Sequence, residues 1–231
     1  MSLSIQTTGH GRISRPAERA VLRIDIKDDG PDATTVSKNV FQCTQRIEQM
    51  LQPVSEKLPS GEPNPSAAVT HWSMGKLDTY SYPNYDRDGK ITGRTHHAAT
   101  SFEVKFRDFG VLAHTASDLS AMEFLNLDGF EWRLTDVTKQ ALASEVRALA
   151  ARDGLARAED YARALGWEKV KAIDLVEQTG VDDGSFGVPV RRLCMMAAGG
   201  YDDEGGDPGL SFQPEEVRLE AVVTVKSVAD K

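Results

Sequence analysis

The sequence predicts an α+β fold, in which an antiparallel β-sheet has two long helices packed on it, at about residues 31–58 and 137–165. Three observations favour this class. Apolar and polar residues alternate with a period of two in several segments, which is typical of half-buried strands. Apolar residues recur at steps of three or four in two other segments, which indicates helices. Hairpin turns connect the strands in place of regular β-α-β units, which favours an antiparallel sheet.

The first two strands, at about 2–13 and 18–28, are predicted to form a hairpin. In the second strand Leu22, Ile24 and Ile26 alternate with charged residues. The string Gly9-His10-Gly11 begins like a dinucleotide-binding loop, but no helix follows it. We therefore interpret it as a β-turn or bulge.

The first long helix is predicted to begin at about Pro31, because proline suits the first helical turn. Cys43 falls on its apolar stripe and is predicted to fill the core, while Cys194 is far away in the sequence, so both are expected to be reduced thiols. The stripe consists of Ala33, Val36, Val40, Cys43, Ile47, Leu51, Val54 and Leu58.

Two long strands are predicted next, at about 67–81 and 92–107, with Asp-Gly in a hairpin-turn position between them. The segment from Asn84 to Thr95 also resembles a calcium loop. Its last position holds Thr95, where a calcium loop needs a bidentate Glu. A hairpin turn is therefore favoured over a calcium site.

Three histidines lie on the same predicted strands. His96 and His97 are adjacent and so point to opposite faces of one strand, which leaves His71 able to meet only one of them. This arrangement disfavours a zinc site.

The second long helix follows a short helix near 108–119 and a strand around Phe130. Two apolar lines on the long helix predict two contacts, one with its sheet and the other with a loop or another subunit. The first line is rich in small residues: Ala141, Ser144, Ala148, Ala151, Leu155, Ala158, Ala162 and Leu165. The second is shorter: Leu142, Val146 and Leu149.

Further strands are predicted near 169–177, 188–197 and 217–225. Between the last two lies a glycine-rich acidic stretch, at about 198–209, that contains Asp202-Asp203-Glu204. Because glycine-rich backbone costs entropy to order, a flexible, solvated loop is favoured over a cation site. The elements together predict one domain over residues 3–227.

Composition narrows the possible partners and location. The chain of 231 residues has 27 basic and 35 acidic residues, a net charge of −8 that disfavours nucleic acid as a partner. No apolar run is long enough to span a membrane. The first residues lack the pattern of a secretory signal, so a cytoplasmic protein is expected.

Eight strings of the sequence follow one another in a characteristic order: Ile5–Arg12, Pro16–Leu22, Tyr82–Tyr85, Ile91–Thr95, Val104–Asp108, Leu127–Leu134, Ala158–Gly166 and Pro214–Val217. In this order they resemble the SIMPL-domain family, which includes bacterial periplasmic proteins linked to oxidative-stress defence and immunogenic outer-membrane-associated proteins. The resemblance implies an α+β fold and homo-oligomers, and it implies no catalytic, cofactor-binding or metal-binding residues.

The leading functional hypothesis is a non-enzymatic, self-associating SIMPL-type protein with a role in stress protection. No motif of known catalytic spacing is present, and no catalytic, cofactor or metal residue is assigned. One alternative is an adaptor that acts through the acidic 199–209 loop. Another is a small-molecule binding protein or enzyme with a pocket at the 67–107 hairpin, built from His71, Trp72, Tyr80, Tyr82, His96 and His97.

Overall fold

The computed structural model describes residues 2–62, 64–182, 187–188 and 213–230. Within these ranges the predicted fold class is confirmed: antiparallel strands combine with α-helices. The helices are α1 (Ala33–Leu51), α2 (Phe109–Ser120) and α3 (Asp136–Ala164). The strands are β1 (Ser2–Pro16), β2 (Arg19–Gly30), β3 (Val69–Met74), β4 (Asp78–Tyr85), β5 (Ile91–Phe106), β6 (Leu125–Arg133), β7 (Lys169–Asp182), β8 (Gly187–Val188) and β9 (Glu216–Asp230).

The chain divides into two compact units, each with its own sheet: α3 belongs to the first unit, and α1 and α2 belong to the second. The first comprises residues 1–18, 133–185 and 215–231, and the second comprises 19–132 and 186–214. The single domain over 3–227 stays a prediction. The predicted acidic loop at 198–209 lies outside the described residues.

The first unit contains an antiparallel sheet in the order β1-β9-β7. β1 pairs with β9 along its whole length, from Ser2 opposite Asp230 to Pro16 opposite Glu216. Alternate residues of both strands are buried, and α3 packs against them. Most apolar residues of both strands thus face the core and most polar residues face away from it, as the alternation in the sequence predicts.

The predicted hairpin between the first two strands is wrong. β1 pairs with β9, whereas β2 pairs with β5 in the other sheet. The connection Ala17-Glu18 contains none of the residues that readily adopt the positive φ of a tight hairpin turn. Its amides are bound elsewhere, since Ala17 N donates to Glu215 O and Glu18 N donates to Arg133 O, each at 3.0 Å.

Helix α3 has one buried line, not the two apolar faces predicted. Ala158 and Ala162 of the predicted seam are buried, but Ala141, Ser144 and Ala148 are exposed. Rows of side chains four apart are inclined to the helix axis, and the buried residues follow one such row. That row is Val146, Ala150, Gly154, Ala158 and Ala162.

The second unit contains a sheet in the order β3-β5-β2-β6-β8, and β4 also pairs with β5. Helix α1 packs on β2 and β5, where Leu22, Ile24 and Ile26 have no exposed surface. The first strand of the predicted 67–81 and 92–107 pair is divided into β3 and β4.

Helix α1 is shorter than predicted. Asp32 caps its first turn by accepting a hydrogen bond from Thr35 N at 2.8 Å. The helix ends at Leu51 and continues as one 3₁₀ turn, Gln52–Val54, because Pro53 lacks the amide that an α-helix interior requires. The buried part of its stripe includes Cys43, which confirms Cys43 as a core residue.

Candidate functional site

The β4–β5 hairpin extends beyond the rest of its sheet. β4 pairs with β5 from Asp78 opposite Ala99 to Tyr85 opposite Ile91. β2 joins β5 only from His96 onwards, where Gly30 lies opposite it. The distal part of the hairpin is therefore two-stranded among the described residues. Because a two-stranded ribbon is marginally stable in water, this part is suited to packing against something else.

One face of this hairpin concentrates aromatic side chains. Residues directly opposite in an antiparallel pair share a face, so Tyr80 and His97 lie side by side with ring centroids 4.5 Å apart. The Tyr82 ring is 6.3 Å from that of Tyr80. We define the tyrosine face as Asp78, Tyr80, Tyr82, Asn84, Thr95 and His97.

The tyrosine face lies on the side of the sheet away from α1. On β2, Asp28 points toward α1, since its Oδ2 accepts a hydrogen bond from Asn39 Nδ2 at 2.9 Å. The next residue, Asp29, points the other way, and its Oδ1 lies 2.8 Å from His97 Nδ1. The Asp29–His97 pair fixes the imidazole beside Tyr80, which is 57% exposed, while Tyr82 is 45% exposed.

The distal end of the hairpin is closed by the turn that the sequence predicts. Asp86 Oδ1 accepts hydrogen bonds from Asp88 N at 3.0 Å and Lys90 N at 2.8 Å, and Gly89 has a φ of 77°. This confirms the hairpin turn. The Asp86 carboxylate thus accepts hydrogen bonds from amides of the turn itself. Thr95 Oγ1 donates a hydrogen bond to Asn84 Oδ1 at 3.0 Å.

The predicted pocket residues do not all come together. His97, Tyr80 and Tyr82 cluster, but His71 lies opposite Lys105, eight positions along β5 from His97. At about 3.4 Å per residue, that separation is about 27 Å. Trp72 belongs to the core side, where its ring contacts Phe102 and its Nε1 donates to Ser55 Oγ. A pocket shared by all six residues is therefore ruled out by the strand register.

Metal ligation has no support in the described part of the chain. There, no three or more His, Cys, Asp or Glu side chains are placed to hold one ion. His96 and His97 point to opposite faces of β5, in keeping with the strand geometry.

The Gly9-His10-Gly11 string is neither a turn nor a bulge, contrary to the interpretation from sequence. It lies inside the continuous strand β1 and is covered by α3. A Cβ at Gly9 would overlap the carbonyl oxygen of Ala150, and one at Gly11 would overlap that of Val146. The glycines therefore serve close helix–strand packing.

Polar groups of α3 complete this packing. Thr7 Oγ1 donates to Gly154 O at 2.6 Å, and His10 N donates to Asp153 Oδ2 at 2.8 Å. The bond from the His10 amide lowers the pKa of Asp153, and the neighbouring Arg157 lowers it further. The Asp153 carboxylate thus accepts a hydrogen bond from the His10 amide, which β9 does not bind.

A shallow cleft of about 280 Å³ lies beside Cys43, between α1 and the residues that follow α2. Phe124 lines it and has a φ of 64°, while its carbonyl accepts from Lys27 N. Burial raises the pKa of the Cys43 thiol, which keeps it neutral and makes it a poor nucleophile. The cleft shares no residue with the tyrosine face.

Comparison with known protein families identifies the family to which this chain belongs. The SIMPL family, described as a protein of unknown function (DUF541), matches residues 5–227. The chain belongs to the SIMPL family. This membership accounts for the order of strings from Ile5 to Val217 that resembled the family in the sequence. Among the described residues of this SIMPL protein, no helix has the length and apolar character needed to cross a membrane.

Other comparisons add little to the SIMPL assignment. No curated protein matches the chain. Among solved structures, one from Burkholderia cenocepacia, described as a candidate amidohydrolase/peptidase, is similar at 12% identity and a TM-score of 0.27. The match covers 69% of this chain and 34% of that one, so the chain spans about a third of that protein's length. A TM-score of that size does not indicate a shared fold.

The sequence predicts only some of the residues that form and support the tyrosine face. It predicts Tyr80, Tyr82 and His97 as neighbours at the hairpin, but it does not indicate Asp29, which binds His97. The signal for Asp29 is its place near the end of a strand that alternates apolar and charged residues. Only the pairing of β2 with β5 brings its carboxylate to His97.

Proposed function

We propose that this SIMPL protein is a non-enzymatic, self-associating protein and that the tyrosine face is its contact surface. The observation that carries the proposal is an aromatic face on a hairpin that extends past its sheet. Tyr85 and Ile91, which lie opposite each other at the distal end, are 62% and 60% exposed. Exposed aromatic and aliphatic side chains on a protruding element are typical of protein interfaces.

The hairpin exposes apolar area on both of its faces. Tyr80 and Tyr82 belong to the tyrosine face, whereas Tyr85 and Ile91 project from the opposite face at the distal end. A fully covered aromatic side chain buries about 150–250 Å², so Tyr80 and Tyr82, about half exposed, together offer roughly 200 Å². They form the aromatic centre of the proposed contact, since stable complexes bury about 800 Å² per partner and the polar residues around the centre supply the rest.

Helix α3 is a weaker candidate for this contact. The self-association predicted from sequence used its second apolar line, but Val146 of that line is fully buried. Leu142 and Leu149 are half-buried beside it. They leave little surface to offer a second copy, whereas the tyrosines of β4 are about half exposed.

The proposal is tested by the double substitution Tyr80→Ser and Tyr82→Ser. We expect the wild-type chain to form oligomers across the micromolar range and the variant to be monomeric, because the variant loses most of the apolar contact area. Light scattering coupled to size-exclusion chromatography measures the mass. Tyr161→Ser is the matched control, since Tyr161 is a tyrosine 61% exposed on α3.

A wild-type chain that is monomeric at every concentration contradicts the proposal. Equal loss of association in the Tyr161→Ser control would also contradict it, because the effect would not be specific to the tyrosine face. Circular dichroism of both variants separates loss of association from loss of fold.

The proposal includes the role in stress protection that the family resemblance implies. If association serves that role, cells that carry the Tyr80→Ser, Tyr82→Ser variant should survive peroxide less well than cells with Tyr161→Ser. Equal survival would remove the stress role and leave self-association standing. The cytoplasmic location expected from the sequence stays a prediction.

A further inference from the structure

An aspartate–histidine pair lies at the edge of the tyrosine face. His97 Nδ1 is 2.8 Å from Asp29 Oδ1, and the His97 side chain is 15% exposed while that of Asp29 is 49% exposed. The ring of Tyr80 lies beside the imidazole, with centroids 4.5 Å apart. In the proposed contact, a second copy that covers Tyr80 and Tyr82 also excludes water from this pair.

The net charge of the pair depends on one proton. Histidine is the side chain whose charge ordinarily changes between pH 5 and 8. Because a carboxylate only accepts hydrogen bonds, a neutral His97 that keeps this contact carries its proton on Nδ1, and the pair then has one net negative charge. When His97 takes up a second proton, the pair becomes a hydrogen-bonded ion pair with no net charge.

The charged groups that share this face leave that difference in place. On β4, Tyr80 lies directly opposite His97, and Asp78 is paired with Lys76 Nζ at 2.8 Å. On β2, Lys27 is exposed on the same face, two positions before the aspartate of the pair. Carboxylates and lysines ordinarily keep their charge over the range in which histidine titrates. The proton on the imidazole therefore decides the net charge of the region that the contact covers.

We propose that self-association through the tyrosine face takes up a proton at His97, so that the contact strengthens as the pH falls from 8 to 6. Covering a net charge costs more free energy than covering a hydrogen-bonded ion pair, so the contact favours the protonated imidazole. An equilibrium that favours the protonated form takes up protons, and its association constant rises as the pH falls. This inference rests on the proposed self-association and specifies how the same surface is regulated.

The pH dependence of self-association tests the proposal. We expect the dissociation constant of wild type to fall about tenfold or more from pH 8 to pH 6, since each copy contributes one histidine. Analytical ultracentrifugation at both pH values measures this constant. The net charge of −8 makes two copies repel each other, and this repulsion also weakens as the pH falls. Substitutions at the pair separate the contribution of His97 from this background.

Two substitutions change the pH dependence in different ways. His97→Gln keeps a hydrogen-bond donor for Asp29 but takes up no proton, so only the background should remain. Asp29→Asn leaves a protonated His97 without a countercharge, so association should weaken as the pH falls, measured relative to His97→Gln. If both variants shift the dissociation constant but keep the pH dependence of wild type, the pair is only structural and the proposal is overturned.

His114→Gln is the matched control for His97→Gln. His114 also faces an aspartate, since its Nε2 lies 3.5 Å from Asp118 Oδ2, but its side chain is 81% exposed on α2. This variant should keep the full pH dependence of wild type. Equal loss of pH dependence in the two histidine variants would show that the effect is general, and it would overturn the assignment to His97.

The outcomes separate the proton uptake from the function it rests on. If Tyr80→Ser with Tyr82→Ser abolishes association but wild type has the same pH dependence as His97→Gln, proton uptake at His97 is wrong and self-association through the tyrosine face stands. A wild type that is monomeric at every pH and concentration overturns both. Circular dichroism at pH 8 and pH 6 confirms the fold of each variant, and His97→Gln decides the question by itself if Asp29→Asn does not fold.

Discussion

Gly9 and Gly11 determine how closely α3 approaches β1. Each occupies a position where any side chain would overlap a backbone carbonyl of the helix. Backbone atoms cannot move aside as the end of a flexible side chain can, so the helix would have to shift as a whole. Gly9 and Gly11, in the string that resembles a nucleotide-binding loop, therefore serve helix–strand packing. Gly154 on α3 lies against Gly9, so a glycine on the helix faces a glycine on the strand at this contact.

We expect Gly9→Ala to lower the free energy of unfolding by about 3 kcal/mol or more, because the added Cβ overlaps Ala150 O. Urea unfolding followed by circular dichroism measures the change. Gly93→Ala is the control: a Cβ there has no atom within 4 Å, so the change should be neutral or slightly stabilising. Equal stability of Gly9→Ala and Gly93→Ala would show that α3 does not pack so closely.

At the tyrosine face, the sequence predicts the hairpin turn but not which distant side chains join the face. The hairpin turn follows from Asp88-Gly89, because the left-handed backbone there favours glycine. Asp29 contacts His97 only because β2 pairs with β5. Trp72 lies away from the tyrosine face because the pleat of its strand directs its ring to the core, against Phe102. Neither fact is encoded within a few residues of the side chain concerned.

Helix α3 illustrates the same division at the scale of an element. Its bounds, Asp136–Ala164, agree with the predicted 137–165, because Thr135 caps its start and Gly166, with a φ of 77°, follows its end. Its buried face was predicted only in the C-terminal half. The N-terminal half is rich in alanine on several sides, so composition alone does not show which row faces the sheet.

Ala158 and Ala148 test this assignment of faces. Both belong to the predicted seam, but Ala158 is fully buried and Ala148 is exposed. Ala158→Leu should lower the free energy of unfolding by about 1–3 kcal/mol through overpacking. Ala148→Leu should change it by less than about 0.5 kcal/mol. Thermal or urea unfolding of both variants measures the difference, and equal effects would contradict the observed buried row.

At the scale of the whole molecule, the chain passes from one compact unit into the other and back. Residues 19–132 form most of the second unit as one uninterrupted segment, whereas the first unit is assembled from three separated segments. The segment 19–132 contains a continuous core, which includes Leu22, Ile24, Phe102 and Phe106. A contiguous segment with its own core has the features of an independently folding unit.

We expect the fragment 19–132 to fold by itself and to unfold cooperatively in urea, since it keeps α1, α2 and the strands β2 to β6. Far-UV circular dichroism during urea titration measures this. The same fragment with Ile24→Asp, a charge at a fully buried position, is the unfolded control. An unfolded 19–132 fragment would instead favour the single domain over 3–227 that the sequence predicts.

The sequence by itself determined the fold class, the alternation of β1, β2, β5 and β9, the bounds of α3 and the hairpin turn at Gly89. These depend on residues close together in the chain, through hydrophobic period, capping and turn preference. Only the tertiary structure decided that β1 pairs with β9, that glycines 9 and 11 admit α3, and that Asp29 binds His97. Those features join residues far apart in sequence, and many strand pairings bury the same apolar faces, so local patterns do not distinguish among them.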